Sequence, residues 1–210
     1  MTDSKLRVSS FACLLSLVAA CGASDPATGM TDAGGIVVDA GPAMMCNATI
    51  PASPYGIEVG RKFEPLTLPD CSGNNYDFYN QDYCDASLTV VSIAAGWCNP
   101  CIIESSMLTS VITEPYAPRG VRVIQIVYQT DTYDAPDAAY CQGWVDRFGL
   151  TNVELYDPTQ LASIYFPAGS LPATLIVDNQ GVIRFREYGV SDGLMTLRAK
   201  LDQLLAEQGL

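Results

Sequence analysis

The chain has 210 residues, with 11 Lys and Arg against 23 Asp and Glu for a net charge of −12, and no histidine. That length supports one domain with a substantial core plus an additional segment. The acidity argues against nucleic acid or anionic lipid held through a basic patch. The lack of histidine excludes Ser-His and Cys-His catalysis and removes the commonest metal ligand.

In chain order, Lys5 and Arg7 form a short basic region before a mostly apolar stretch, 8–20, that is too short to span a bilayer as a stable helix. It ends Leu17-Val18-Ala19-Ala20-Cys21-Gly22. Small residues directly before a cysteine, after an apolar stretch, resemble the lipobox of bacterial lipoproteins. The resemblance implies a signal peptide over 1–20 and acylation of Cys21 as the new N-terminus. An ordinary secretory signal cleaved near Ala20 is the alternative, and either leads out of the cytoplasm. Gly22, rather than an aspartate, follows the cysteine; this leaves inner or outer membrane open and favours the outer. Residues 21–45 are rich in Gly, Ala, Asp and Pro, contain no Lys or Arg, and lack apolar periodicity. They read as a flexible, lipid-anchored tether with an r.m.s. span of about 25–30 Å.

The folded domain is expected over 46–210. Residues 63–68 and 75–78 read as two short strands around the Ser72-Gly73-Asn74 turn. The unbroken apolar run 88–95 is the mark of a central strand buried on both faces. A helix is predicted over 99–116, a buried strand over 120–128, and a helix over 136–148 ending at Gly149. A short strand, 153–156, and a short helix, 158–166, follow. Strands 173–177 and 182–186 are joined by the turn signal Asp178-Asn179-Gln180-Gly181. An amphipathic helix over 192–205, with Leu194, Leu197, Leu201, Leu204 and Leu205 on one face, closes the chain. The order predicts an α/β fold with a mixed central sheet flanked by helices, an N-terminal strand extension and an inserted βα unit.

The most informative segment is Trp97-Cys98-Asn99-Pro100-Cys101, which follows the 88–95 strand and opens a helix. A cysteine at a helix N-terminus faces unpaired N–H groups and the positive end of the dipole, which stabilise a thiolate, the nucleophilic form. Two intervening residues allow the pair to close a disulfide. A CxxC whose disulfide is purely structural, in a non-enzymatic binding module, is the competing reading. Zinc would need four thiolates, and no second CxxC exists.

This segment resembles the active site of the thioredoxin superfamily. The leading strands and the long insertion before Pro172 are similar to the TlpA/ResA/CcmG group of exported, membrane-tethered thioredoxin-like proteins. The resemblance covers about 57–208. It implies a thiol–disulfide oxidoreductase with Cys98 as nucleophile, Cys101 as resolving thiol, Trp97 as an apolar lid and Pro172 as a cis-proline packed against the cysteines. A glutamate three residues after the second cysteine, here Glu104, is implied as a proton relay, against the alternative of a solvent-facing residue in the first turns of a helix. Thioredoxin itself has a buried aspartate where this chain has Ser92. No cofactor is implied. The implied partners are a membrane electron donor or acceptor and exported cysteine-containing proteins such as apocytochromes c, with the protein facing the periplasm. A copper-carrying relative would need a histidine. A peroxiredoxin-like thiol peroxidase is the other enzymatic reading, although its Pro-x-x-x-Thr-x-x-Cys nucleophile pattern is lacking before Cys98.

Cys46, Cys71, Cys84 and Cys141 remain as an even set, suggesting structural disulfides in an exported protein. Three connectivities are open. The favoured one is Cys71–Cys84, which flank the second strand, with Cys46–Cys141 pinning the domain's N-terminal edge to the inserted helix; one of these pairs acting as a second redox relay is the rival.

Overall fold

A computed structural model describes residues 50–167, 170–190 and 192–210. The expected signal, tether and acylated Cys21 lie outside these residues, as does Cys46.

A five-stranded mixed sheet forms the centre. Its strands are β3 (Leu88–Ala95), β4 (Val121–Gln129), β5 (Val153–Tyr156), β6 (Ala173–Asp178) and β7 (Ile183–Tyr188), in the order β5-β4-β3-β6-β7. β3 runs parallel to β4 and β4 to β5, whereas β6 is antiparallel to both β3 and β7. Every residue of β3 is buried, as its mostly apolar run requires of a strand covered on both faces. The β6–β7 hairpin turns at Gly181, whose φ of +79° suits glycine.

Helix α2 (Asn99–Leu108) continues through a π-helical turn, Thr109–Thr113, into α3 (Glu114–Tyr116), so the predicted 99–116 helix exists with its hydrogen-bond pattern loosened midway. Helix α4 (Ala138–Phe148) joins β4 to β5, capped by Asp137 at its start and by left-handed Gly149 at its end. Two successive right-handed crossovers in the same direction place α2 and α4 on one face of the sheet. Ser105 of α2 and Trp144 of α4 accordingly hydrogen-bond the same Gln125 side chain. Helix α5 (Met195–Glu207) buries Leu197, Leu201, Leu204 and Leu205. The α3 residue Tyr116 reaches it through Asp202.

On the opposite face lie the hairpin β1 (Thr67–Pro69)–β2 (Asn75–Asp77) and helix α1 (Gln81–Asp85). Phe63, Phe78, Tyr79, Tyr83 and Tyr165 form an aromatic layer there. Arg122 crosses beneath it, its guanidinium satisfied by Thr89, Tyr76, Asn80 and the Phe78 carbonyl.

Three local expectations change. The 63–68 strand shortens to β1, because Lys62 bridges Val182 and the Phe63 N–H donates to the Gly181 carbonyl, tying that stretch to the β6–β7 hairpin. The 158–166 helix contracts to a 3₁₀ turn, Leu161–Tyr165. Gln160 has φ +61° and the Asp157 carboxylate takes the N–H groups of Thr159 and Ala162, both incompatible with a continuing α-helix. Helix α1, nucleated by the Asn80 cap, was not expected.

The cysteine pairing is corrected as well. Cys71 is bonded to Cys141, not to Cys84, and Cys141 therefore not to Cys46. The cause is topological: Asp70 bridges Leu155, laying the β1–β2 hairpin along the edge strand β5, beside α4. Cys84 is disulfide-bonded too.

Candidate active site

The site forms where β3 ends and α2 begins. A register shift at Ala94/Ala95 turns the chain out of the sheet, and the Gly96 N–H is held by the Gln129 carbonyl at 2.8 Å. Gly96 is required there: a Cβ would lie 2.5 Å from the Asp131 backbone nitrogen and 2.7 Å from its Oδ1, and would strike the Tyr140 hydroxyl that Asp131 holds.

Cys98 and Cys101 are joined as a disulfide, with Cα atoms 5.2 Å apart. Cys98 is the N-cap of α2, and its Sγ accepts the Cys101 N–H at 3.2 Å. Pro100 sits in the first turn, where a missing N–H costs nothing. No acidic side chain lies in that turn, so the positive helix terminus is left to the sulfur. Cys98 is 4% exposed and Cys101 fully buried.

Pro172 precedes β6, and the Leu171–Pro172 peptide bond is cis. Because Ala173 pairs with Ile93, Pro172 stands at the same end of the sheet as the cysteines. The Pro172 carbonyl accepts from Gly189. Among the described residues, neither backbone polar group of Leu171 has a partner. Trp97 is half-buried; its indole stacks on Tyr133 and donates to Gln129 Oε1 at 3.0 Å, tying the turn to the loop after β4.

Glu104 is not a solvent-facing residue. It is 1% exposed and packed beneath α2. The Ser92 hydroxyl donates to its Oε1 at 2.5 Å, and the Thr174 hydroxyl reaches both carboxyl oxygens at 3.3 Å. Burial pushes the carboxyl up to about 7, against the pull of the two hydroxyls; Glu187 adds a small upward push. A strand carboxylate is lacking at Ser92, yet the helix delivers one to Ser92 itself, one turn after Cys101.

The pairing register aligns Glu154, Gln125, Ser92, Thr174 and Glu187 in a polar row across all five strands, on the α2 face. Glu154 is buried at the far edge, its carboxyl raised well above the carboxylate range by burial. Sequence reading missed Gln125, Thr174 and Trp144 as parts of the site. Gln125 and Thr174 left one signal, a polar residue inside a mostly apolar strand run, whereas Trp144, on α4, left none.

A dithiol–disulfide pair at a helix N-terminus, a cis-proline at the same end of the sheet and a buried acid near its upper titration range together make a site fitted to thiol–disulfide exchange. Comparison with known proteins agrees. The chain is 33% identical over 128 residues to the thiol:disulfide interchange protein DsbE of Allochromatium vinosum, a match covering 60% of this chain and 65% of that protein. It is 27% identical over 147 residues to the thiol:disulfide interchange protein HelX of Rhodobacter capsulatus, covering 69% and 73%. The chain thus spans just under two thirds of the length of the first of these relatives. Among solved structures, the thioredoxin domain of a thiol-disulfide oxidoreductase from Bacteroides vulgatus superposes with a TM-score of 0.55 at 15% identity, covering 70% of this chain and 99% of that one, a likeness of fold. The model of the Redoxin family matches residues 58–205, well over half of the sequence, and the chain belongs to that family.

Proposed function

We propose that the protein is a thiol–disulfide oxidoreductase that exchanges electrons with exported, cysteine-containing proteins through Cys98 and Cys101. The observation that carries this reading is the Cys98–Cys101 disulfide across the first turn of α2, with Cys98 Sγ accepting a helix N–H. In the reducing direction, the Cys98 thiolate attacks one sulfur of a partner disulfide. A mixed disulfide forms and the partner's other sulfur leaves as a thiolate, which takes up a proton. Cys101 then gives its proton to the Glu104 carboxylate and attacks Cys98 Sγ. The Cys98–Cys101 bond forms, and the partner's second sulfur leaves and is protonated. Two electrons and two protons pass to the partner. The opposite direction is the same sequence reversed.

The backbone of Leu171, without a partner among the described residues, suits pairing with an extended partner segment laid beside the cysteines, as an added strand would be. Lys5, Arg7, the apolar stretch 8–20 and Cys21 support export, with a lipid tether holding the domain at a bacterial membrane and facing the periplasm. Resemblance to the TlpA/ResA/CcmG group supports a membrane electron donor or acceptor as one partner and apocytochromes c among the others.

The test is trapping. Cys101→Ser in the full chain should accumulate a mixed disulfide with a disulfide-bearing model protein, and Cys98→Ser should accumulate none. Failure of Cys101→Ser to trap any partner, with both variants folded, contradicts the proposal.

A further inference from the structure

We infer that Trp144 and Gln125 are positioning residues for Glu104, forming with Ser92 a chain of hydrogen bonds of fixed direction that keeps the Ser92 hydroxyl proton on the Glu104 carboxyl. The chain runs from the inserted helix α4, across β4 and β3, to the active-site helix. It deepens the proposed function and rests on it where Glu104 is given a proton-handling role.

The direction follows from what each group can do. The Trp144 indole N–H is a donor only. It lies 3.0 Å from Gln125 Oε1, and the Ser105 hydroxyl donates to that same oxygen at 3.2 Å. The carbonyl end of the Gln125 amide is thereby fixed toward α2 and α4, because the reversed amide would set two N–H groups against each other. The NH₂ end must face Ser92, where Nε2 donates to Oγ at 3.2 Å. A serine hydroxyl has a single proton. With a donor on the Gln125 side, that proton is directed at Glu104 Oε1, 2.5 Å away. All five side chains, Trp144, Gln125, Ser105, Ser92 and Glu104, are buried, so no bulk water competes for these bonds.

The consequence is chemical. A donor fixed on a carboxyl oxygen favours the ionised acid and opposes desolvation, which favours the neutral one. Without Gln125, the Ser92 hydroxyl could turn and accept the proton of a neutral Glu104, giving the protonated acid an additional partner. Among the neighbouring elements, β3 and β6 present Ser92 and Thr174 to this carboxyl, β4 acts through the Gln125–Ser92 bond, and α4 acts only through Gln125. Glu187 on β7 is the charged group that acts on it, and Cys101 precedes it by one turn of α2. Glu154, at the far end of the polar row, shares Gln125 as its register neighbour.

The experiment is a carbon-13 NMR titration of the glutamate carboxyls in the oxidised full chain, in which Cys98 and Cys101 do not titrate. Glu104→Gln identifies the resonance by removing it. Gln125→Leu should raise the Glu104 titration midpoint by about one pH unit, a tenfold gain in proton affinity. Trp144→Phe, which frees the amide to turn over, should raise it by less. Gln125→Glu, which turns an acceptor and a charge toward Ser92, should raise it by more than Gln125→Leu. An unchanged midpoint in folded Gln125→Leu and Trp144→Phe overturns the inference; should Gln125→Leu not fold, Trp144→Phe alone decides. If the midpoints move as expected but Glu104→Gln leaves the pH profile of disulfide exchange with dithiothreitol unaltered, the donor chain stands and the proton-handling role proposed for Glu104 falls.

Discussion

Replacing Glu104 by glutamine should make the protein more stable and less active, and the pH at which the extra stability appears is set by the structure. The carboxyl is held at about 7 rather than at its ordinary value of 4.5. Below pH 4.5 the acid is neutral in both folded and unfolded chains and costs nothing. Between 4.5 and 7 the unfolded chain releases the proton while the folded one retains it, so stability falls as pH rises. Above 7 both forms are ionised and the full cost, about 3 kcal/mol, remains. Glutamine has nearly the same shape, its carbonyl can accept from Ser92, and its amide can donate to Thr174. The variant should therefore match wild type near pH 4 and exceed it by about 3 kcal/mol at pH 8. Urea melts of the oxidised protein at constant ionic strength measure this directly, because Glu154 contributes alike to both proteins and cancels, and Glu187 enters only through its small coupling to Glu104. A stability difference that stays flat from pH 4 to 8 would refute the assignment of a raised, buried acid to Glu104. In exchange assays, the same substitution should slow resolution by Cys101 by about 100-fold, the scale of a lost acid–base group.

Other consequences can be checked in the same preparations. Replacing both Cys71 and Cys141 by alanine opens a loop closed across 70 positions. It should cost about 4 kcal/mol in urea melts while leaving Cys98–Cys101 exchange intact, and a loss under about 1 kcal/mol would contradict a structural role. Gly96→Ala should lower stability by about 1–3 kcal/mol or more, because the added methyl meets backbone at Asp131. It should also slow exchange by displacing Cys98; full activity in Gly96→Ala would show that the turn is not held as described.

Much of the fold is written in local patterns. The run that forms β3 is apolar at nearly every position because both of its faces are covered, and that burial is visible without a structure. The same holds for the Trp97–Cys101 segment and for the Asp178–Gly181 turn, whose residue types dictate the backbone. What stays hidden depends on register and topology. In the second turn of a helix, Glu104 could be read as a proton relay or as a solvated residue, and only Ser92 and Thr174, brought together by the β3–β6 pairing, show it to be enclosed. The Cys71–Cys141 bond escaped for the same reason. Short-range reasoning favours a nearby partner, whereas the Asp70–Leu155 bridge carries Cys71 to the sheet edge beside α4. Helix α1 has only five residues, too few for a periodic signal, and depends on its Asn80 cap.

The central claim is that Cys98 and Cys101 form an exchanging pair rather than a structural bond. The most direct measurement is their reduction potential, obtained by equilibrating the protein with dithiothreitol and glutathione buffers and scoring alkylation of each cysteine by mass spectrometry. The account predicts a two-electron transition between about −120 and −270 mV, the range spanned by helix-opening CxxC oxidoreductases. A value toward −270 mV would make the protein a reductant, and one above about −180 mV an oxidant or isomerase. A pair that stays oxidised in buffers poised below about −300 mV would be a structural disulfide, and the account would be wrong.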